Sequence, residues 1–318
     1  MTAVITKCLG LRQLPIGVAS VMLGTGCAAF TGNIEPLSAM ICLLFVISMQ
    51  ITVNVAYRYY DEKHGYGSNI DDGLGTEVRG MPMISMLREM FLSIALISAM
   101  LGLTLAAMGG WLIILVDVAV IAGVYFSAAA AAPASRSPYG IFFQFIFYGP
   151  MAVLTTCYIQ TRHESISSIW SWELMGCAVW LSIALGLMTV NTFLCEEFGS
   201  YSPDKSNGKR TFVAAYGRHK TRRLFLVNAI GSFLATCLFG LDFLQLNRAW
   251  LLVIPAICVA WYFFIWLRLK PESGKGFRGI TEECLANELL YAISFLIIAI
   301  AIAPQGTTPR VLISNWLL

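Results

Sequence analysis

Apolar residues run along this chain in long unbroken blocks, and the polar positions gather between the blocks instead of alternating with them. Stretches near the roughly 20 residues that cross a bilayer core predict helices at 14–30, 36–60, 91–109, 111–129, 139–159, 173–195, 224–241, 249–267 and 287–303. The expected fold is all-α, a polytopic membrane bundle of about nine transmembrane helices around a central cavity. The polar segments between the spans are too short for a separate soluble domain, so residues 1–318 read as one transmembrane domain. Two longer segments, 61–90 and 196–223, each follow a span that ends in polar residues and are expected to cap a site. The first holds the turn-rich Gly65-Tyr-Gly-Ser-Asn-Ile-Asp-Asp-Gly-Leu-Gly75, a lid candidate, and Met81 to Met90 is expected to resume as a short amphipathic helix.

Composition agrees with the pattern: 58% of the 318 residues are hydrophobic and 12% are charged, outside the range of soluble domains. With Lys7 and Arg12 on the cytoplasmic side, an alternating chain brings 61–90, 130–138, 196–223 and 268–286 to that side too. Only Arg162, Arg248 and Arg310 of the 21 Lys and Arg residues then lie opposite, as the positive-inside rule requires. The net charge of +3 therefore reflects topology, and no nucleic-acid partner is expected. The nine Cys sit mostly inside the spans without a C-x-x-C pair, which reads as packing and not as a metal cluster or disulfide framework. The first span resembles a signal peptide's apolar region, but Gly24-Thr-Gly-Cys-Ala-Ala is a poor cleavage signal and the span is expected to stay.

Carboxylates at the ends of membrane spans are costly to keep, and two segments hold them. Asn54, Tyr57, Arg58 and Asp61 recur at helical spacing and project from one face, able to converge on one ligand. Glu196, Glu197 and Asp204 precede Lys205, Lys209 and Arg210, combining acids able to hold Mg²⁺ with bases able to hold phosphate oxygens. In an arbitrary membrane protein the same residues also read as a solvated loop.

At these residues the chain resembles the UbiA superfamily of intramembrane prenyltransferases, most closely its 1,4-dihydroxy-2-naphthoate polyprenyltransferases. Leu14-Pro-Ile-Gly-Val-Ala-Ser-Val-Met-Leu-Gly-Thr25 is similar to that family's opening helix, and Gln50-Ile-Thr-Val-Asn-Val-Ala56 leads into Tyr59-Tyr-Asp-Glu-Lys-His-Gly65 as its first aspartate motif is led into. Phe147-Tyr-Gly-Pro-Met-Ala-Val153 and Tyr158-Ile-Gln-Thr161 resemble its fifth helix; Asp204-Lys-Ser-Asn-Gly-Lys-Arg-Thr211 with Tyr216-Gly-Arg218 resembles its second motif. The resemblance implies a cavity open to the cytoplasm and to lipid, where Mg²⁺ and an isoprenoid diphosphate meet an aromatic or quinone-precursor acceptor. Transferred residue by residue, it implies Asp61 and Asp204 on Mg²⁺ with Glu196 and Glu197 as further metal candidates, and Lys63, Lys209 and Arg210 on the diphosphate. The residues themselves add Arg58 and Arg79 as diphosphate candidates and Asn54, Tyr57, Asp117, Gln144, Tyr148 and Asn191 as cavity and acceptor candidates.

The departures from the family pattern matter as much. Tyr57-Arg58 stands where members carry Asn-Asp, and Ser200 where they carry a second-motif Asp, a formal change of about +3; a charge pair about 5 Å apart interacts by roughly 3 kcal/mol at an effective dielectric near 20, which disfavours a second Mg²⁺. Arg58 is expected to take over a lost metal's role by gripping diphosphate oxygens. The alternative is a catalytically altered homologue that binds a prenyl lipid or quinone, or partners an active paralogue; a transporter lacks the expected pair of broken helices. Asp117, inside a span, either faces the cavity as an acceptor-side base or hydrogen-bonds a neighbouring helix. Gln144, Tyr148 and Tyr158 read either as cavity groups or as helix packing, and Ile141 replaces a Glu frequent in relatives. His64, His163 and His219 read as solvated loop residues.

Overall fold

Inside a bilayer each backbone polar group must find its partner within the chain, and long apolar stretches meet that demand as helices. The computed structural model describes residues 9–30, 34–63, 77–78, 81–129, 136–161, 172–243, 252–271 and 277–302. The long helices are α1 Leu14–Ala29, α2 Pro36–Lys63, α3 Met83–Gly109, α4 Trp111–Ala129, α5 Gly140–Thr161, α6 Trp172–Gly199, α8 Phe212–Phe243, α9 Val253–Arg268 and α10 Phe277–Ile302. A short helix, α7 Tyr201–Ser206, joins α6 to α8. Among the described residues seven helices are long and apolar enough to span a membrane, and α1 and α9, at 16 residues each, complete the bundle. The only strands among the described residues, Glu77–Val78 and Met81–Pro82, form a two-residue antiparallel ribbon ahead of α3.

Each expected span is present, and several begin earlier than hydropathy alone indicates. Helix α3 runs unbroken from Met83, so the short amphipathic helix expected at Met81–Met90 is its first two turns. Helix α8 starts at Phe212, not at 224, and bends at Gly217, whose φ of +80° suits glycine. Most of the expected 196–223 loop is thus helical. Helix α6 is the central post, 72% buried over its apolar window, with α1, α8 and α10 packed on it.

Polar side chains cross-link this inner group. Asn191 of α6 donates to the Phe225 carbonyl at 3.1 Å and accepts from Asn228 of α8 at 3.0 Å. Thr189 and Thr192 of α6 donate to Glu288 of α10, and the Thr236 and Tyr291 hydroxyls meet at 2.8 Å. Such hydrogen bonds between helices supply a directional force that apolar contact lacks within lipid. Helices α2, α4 and α5 line a cavity beside this inner group.

Small residues set the closest approaches. A Cβ on Gly149 would lie 2.8 Å from the Gly186 Cα and 2.8 Å from the Ser182 carbonyl oxygen, so α5 and α6 touch backbone to backbone. Gly149→Ala is expected to lower stability by about 1–3 kcal/mol, the cost of overpacking a fixed contact, read as an earlier thermal transition in detergent; Ala at the open Gly279, which has nothing within 4 Å, is the control.

Candidate functional site

Arg12, Asp61, Arg136, Asp204, Lys209 and Glu282 come together at one end of the bundle, as the alternating topology requires. Asp61, in the last turn of α2, is the centre of the group. Its Oδ1 accepts from Arg136 Nε at 3.0 Å and from Arg136 Nη2, and its Oδ2 accepts from Lys209 Nζ at 2.9 Å. The three side chains are 25%, 15% and 19% exposed, so solvent screens the pairs only in part. Arg136 also accepts the Arg210 backbone N–H at 3.1 Å through its carbonyl, tying the segment before α5 to the one before α8.

A tight helix end shapes the other half. After α7, Gly208 takes φ +70°, its N–H bonds the Lys205 carbonyl at 3.4 Å, and the Lys209 N–H bonds the Asp204 carbonyl at 2.9 Å. This pair of bonds is a Schellman termination, which satisfies the last carbonyls of α7 and turns the chain back. Lys209 therefore returns past Asp204 toward Asp61, and the Thr211 hydroxyl donates to Asp204 Oδ2 at 3.3 Å. Burial lifts the Asp204 carboxyl above the ordinary carboxylate range; the Lys209 ammonium and the Thr211 hydroxyl pull it back, and the nearby Asp61 charge adds to the rise.

Directly beneath Asp61 opens a cavity with about 840 Å³ of empty space, its mouth included. One face of α2 lines it, at Cys42, Phe45, Val46, Met49, Gln50, Val53 and Tyr57. Val116, Val120, Gly123, Val124 and Ser127 of α4 face it across the gap, and α5 contributes Phe143, Gln144, Phe147, Tyr148, Met151, Ala152, Thr155 and Thr156. None of the lining residues is charged. Two walls carry π-helical segments, Tyr125–Ala129 in α4 and Phe147–Met151 in α5. The second contains Pro150, whose ring and missing N–H a regular turn could not accommodate.

The structure places the expected site residues unevenly. Asp61, Asp204 and Lys209 converge, and Arg210 joins them through its backbone while its side chain is exposed. Arg58 is half-buried and forms no ion pair with a described residue, and exposed Lys63 stands 5.8 Å over the Tyr60 ring. Tyr57, Gln144 and Tyr148 line the cavity; Arg79, His64 and His163 lie outside the described residues.

Six further expected residues have contacts within the bundle. Glu196 accepts from Gln13 Nε2 at 2.6 Å, and Glu197 accepts the Val213 N–H at 3.1 Å, capping the start of α8. Both join helices, and both lie close enough to Asp204 to feel its charge. Asn54 donates to the Leu9 and Gly10 carbonyls at 3.3 and 3.4 Å, and Asn191 belongs to the α6–α8 link, so neither lines the cavity. Asp117 is also absent from the lining: a Cβ on Gly102 of α3 would lie 3.2 Å from both its carboxyl oxygens, so it packs against the neighbouring helix. Tyr158 likewise bonds the Gly109 carbonyl at 3.3 Å.

Arg136 was overlooked in the sequence, where it counts only as a loop charge. Its signal was being the single cation in the 130–138 connection, which topology brings to the same end as Asp61. Gln50 is the second omission. It is 2% exposed, donates to the Gln13 carbonyl at 2.6 Å and lines the cavity with a buried Oε1 that has no hydrogen-bond partner.

For Mg²⁺, which relatives bind, the test is the donor set. Among the described residues no three His, Cys, Asp or Glu side chains form a metal-binding group. Asp61 and Asp204 share Lys209 as a neighbour, and a Mg²⁺ ion needs only one or two carboxylates when substrate phosphates and waters complete its octahedron. The residues present fit one such ion.

Comparison with known proteins agrees with this geometry. Over 298 residues the chain is 26% identical to the 1,4-dihydroxy-2-naphthoate octaprenyltransferase of Escherichia coli K12, covering 90% of this chain and 91% of that one. A UbiA homologue from Aeropyrum pernix K1 shares the fold with a TM-score of 0.61 at 11% identity, covering 90% of this chain and 97% of that one. A UbiA homologue from Archaeoglobus fulgidus, solved bound to GPP and Mg²⁺, does so with a TM-score of 0.59 at 13% identity, covering 92% and 99%. Residues 17–279 match the UbiA prenyltransferase family, and with that match spanning most of its length, this integral membrane chain belongs to the UbiA prenyltransferases.

Proposed function

We propose that this chain transfers an isoprenoid group from its diphosphate to an aromatic acceptor of the quinone-precursor type. The observation that carries the reading is the junction of Asp61, Arg136, Lys209 and Asp204 over a cavity without a charged wall. A substrate with an anionic head and an apolar tail fits that division: diphosphate at the charged mouth, chain below. Relatives named as naphthoate octaprenyltransferases and a neighbour bound to GPP and Mg²⁺ support the same substrate class.

In this structure Asp61 is paired with two cations. An arriving diphosphate offers Arg136 and Lys209 stronger partners, and each can move its hydrogen bonds from Asp61 to phosphate oxygens, freeing the carboxylate. Arg58, Lys63 and Arg210 supply further positive charge around the mouth. Mg²⁺, held by Asp61 and Asp204, would neutralise the leaving diphosphate as the bond to carbon breaks. The fixed cations do the same from the protein's side, since charge aimed at a developing anion stabilises the transition state most. Below them Tyr57, Phe143, Phe147 and Tyr148 surround the allylic carbon with ring faces and exclude water that would capture the cation. The acceptor hydroxyls have Ser127, Gln144 and Tyr148 within the same upper part of the cavity.

The distribution of Lys and Arg supports an orientation with the N-terminus and the charged mouth on the cytoplasmic face.

Purified protein given prenyl diphosphates and phenolic acceptors is expected to release pyrophosphate only with Mg²⁺, and Asp61→Ala to abolish release; full release in EDTA would refute the assignment. Arg136→Ala is expected to raise the donor KM about 10- to 100-fold, the worth of one charge-assisted contact, with Arg136→Lys recovering part of it because the two-pronged grip is lost. Because Asp204 must be ionised to hold metal and its pKa is raised, Mg²⁺-dependent turnover should fall as pH drops through a value above the usual carboxylate range. In Asp204→Asn that acid limb should vanish along with most of the activity, measured as the residual rate against pH.

A further inference from the structure

The three walls of the cavity are in register. From Cys42 to Tyr57 along α2 the helix rises about 22 Å, from Phe143 to Thr156 along α5 about 20 Å, and from Val116 to Ser127 along α4 about 16 Å, at 1.5 Å per residue. Tyr57, Ser127 and Phe143 mark the upper end, and Asp61 lies one turn, about 6 Å, beyond Tyr57. Cys42, Val116 and Thr156 mark the lower end, where Leu105 enters as the one lining residue from α3.

Leu105 and Cys42 also belong to a packed apolar plug with Val21, Ala106, Ile113 and Ile159, all 7% exposed or less. Just beyond it the Tyr158 hydroxyl is tied to the Gly109 carbonyl, closing α5 onto the end of α3. The cavity therefore has a floor. Resting on the prenyltransferase reading above, we propose that the cavity reads the length of the donor's tail, gripping about four isoprene units, and that Leu105 and Cys42 are the residues that end the count. An extended four-carbon repeat spans about 5 Å, given carbon–carbon bonds of about 1.5 Å, so four units fill the depth between the Tyr57 level and the plug. A longer tail has no straight path and turns aside into lipid. Lipid is as apolar as the walls, so units beyond the fourth add nothing that packing against protein would have added.

The test measures equilibrium binding of non-cleavable prenyl thiolodiphosphates with two, three, four, five and eight isoprene units to the full chain in nanodiscs with Mg²⁺. Affinity is expected to rise about threefold per unit through four units, about 0.65 kcal/mol each, and to stay flat beyond. Leu105→Trp, which raises the floor, should move the break to three units, and Leu105→Ala, which opens the plug, to five. Cys42→Phe raises the same floor from the opposite wall and should reproduce the three-unit break if Leu105→Trp does not fold. Affinity rising steadily to eight units, no length dependence, or a break unmoved by any floor variant would overturn the proposal. Pyrophosphate release from the four-unit diphosphate with an acceptor is scored separately. Its absence beside an intact break refutes prenyl transfer and leaves the length limit standing; its presence without a break does the reverse.

Discussion

Everything at the active end depends on one carboxylate held from two sides. Asp61 is delivered by α2, Arg136 by the segment before α5, and Lys209 by the turn between α7 and α8, so their hydrogen bonds fix three chain segments 75 and 148 positions from Asp61 to either partner. A carboxylate at the rim of a membrane cavity is stable only if its charge is answered, and here two cations answer it. The consequence lies in what remains when an anion arrives. Asp61 and Asp204 face Arg136 and Lys209, while Arg58, Lys63 and Arg210 stand outside those pairs. Charged groups thus gather at the mouth above walls that carry none, an asymmetry that suits an amphipathic diphosphate.

The departures from the family pattern have a structural counterpart. Arg58 stands in place of a carboxylate, and the acidic pair Glu196-Glu197 is drawn off to Gln13 and to the Val213 N–H. Asp61 and Asp204 stay together beside Arg136 and Lys209, so fixed cations stand next to the carboxylates. An arginine can do part of a metal's work on a leaving diphosphate, because both present positive charge to the same oxygens. It cannot bridge two anionic groups as compactly as an ion does.

The spans were legible because twenty apolar residues in a row have no other stable use, and α1 to α6 start and end close to where hydropathy puts them, apart from the early start of α3. The first turns of α8 and α10 were not legible. Phe212–Arg223 and Phe277–Glu283 carry enough polar residues to read as loops, yet they extend the helices past the apolar core. The azimuth of a polar residue within a span was equally hidden. A helix apolar on all sides has no moment to say which face looks inward, so Asn191, a cavity candidate, joins α6 to α8, and Asp117, open to either reading, packs against Gly102 of α3. Asp61, Asp204 and Lys209 were recoverable because a family pattern names them. Arg136 was not, since an isolated arginine in a nine-residue connection says nothing until the fold brings Asp61 to it.

The same division of charge sets an order of events. While Arg136 and Lys209 clasp Asp61, most of its accepting capacity is taken, so a diphosphate that drew these cations to itself would leave the carboxylate open to a metal ion. The tail meanwhile fills the cavity down to the plug at Leu105, which leaves the upper part, between Ser127, Gln144 and Tyr148, as the polar room for a flat acceptor beside the reacting carbon. Head, tail and acceptor thus have separate places, and it is the head, through its exchange with Asp61, that commits the other two.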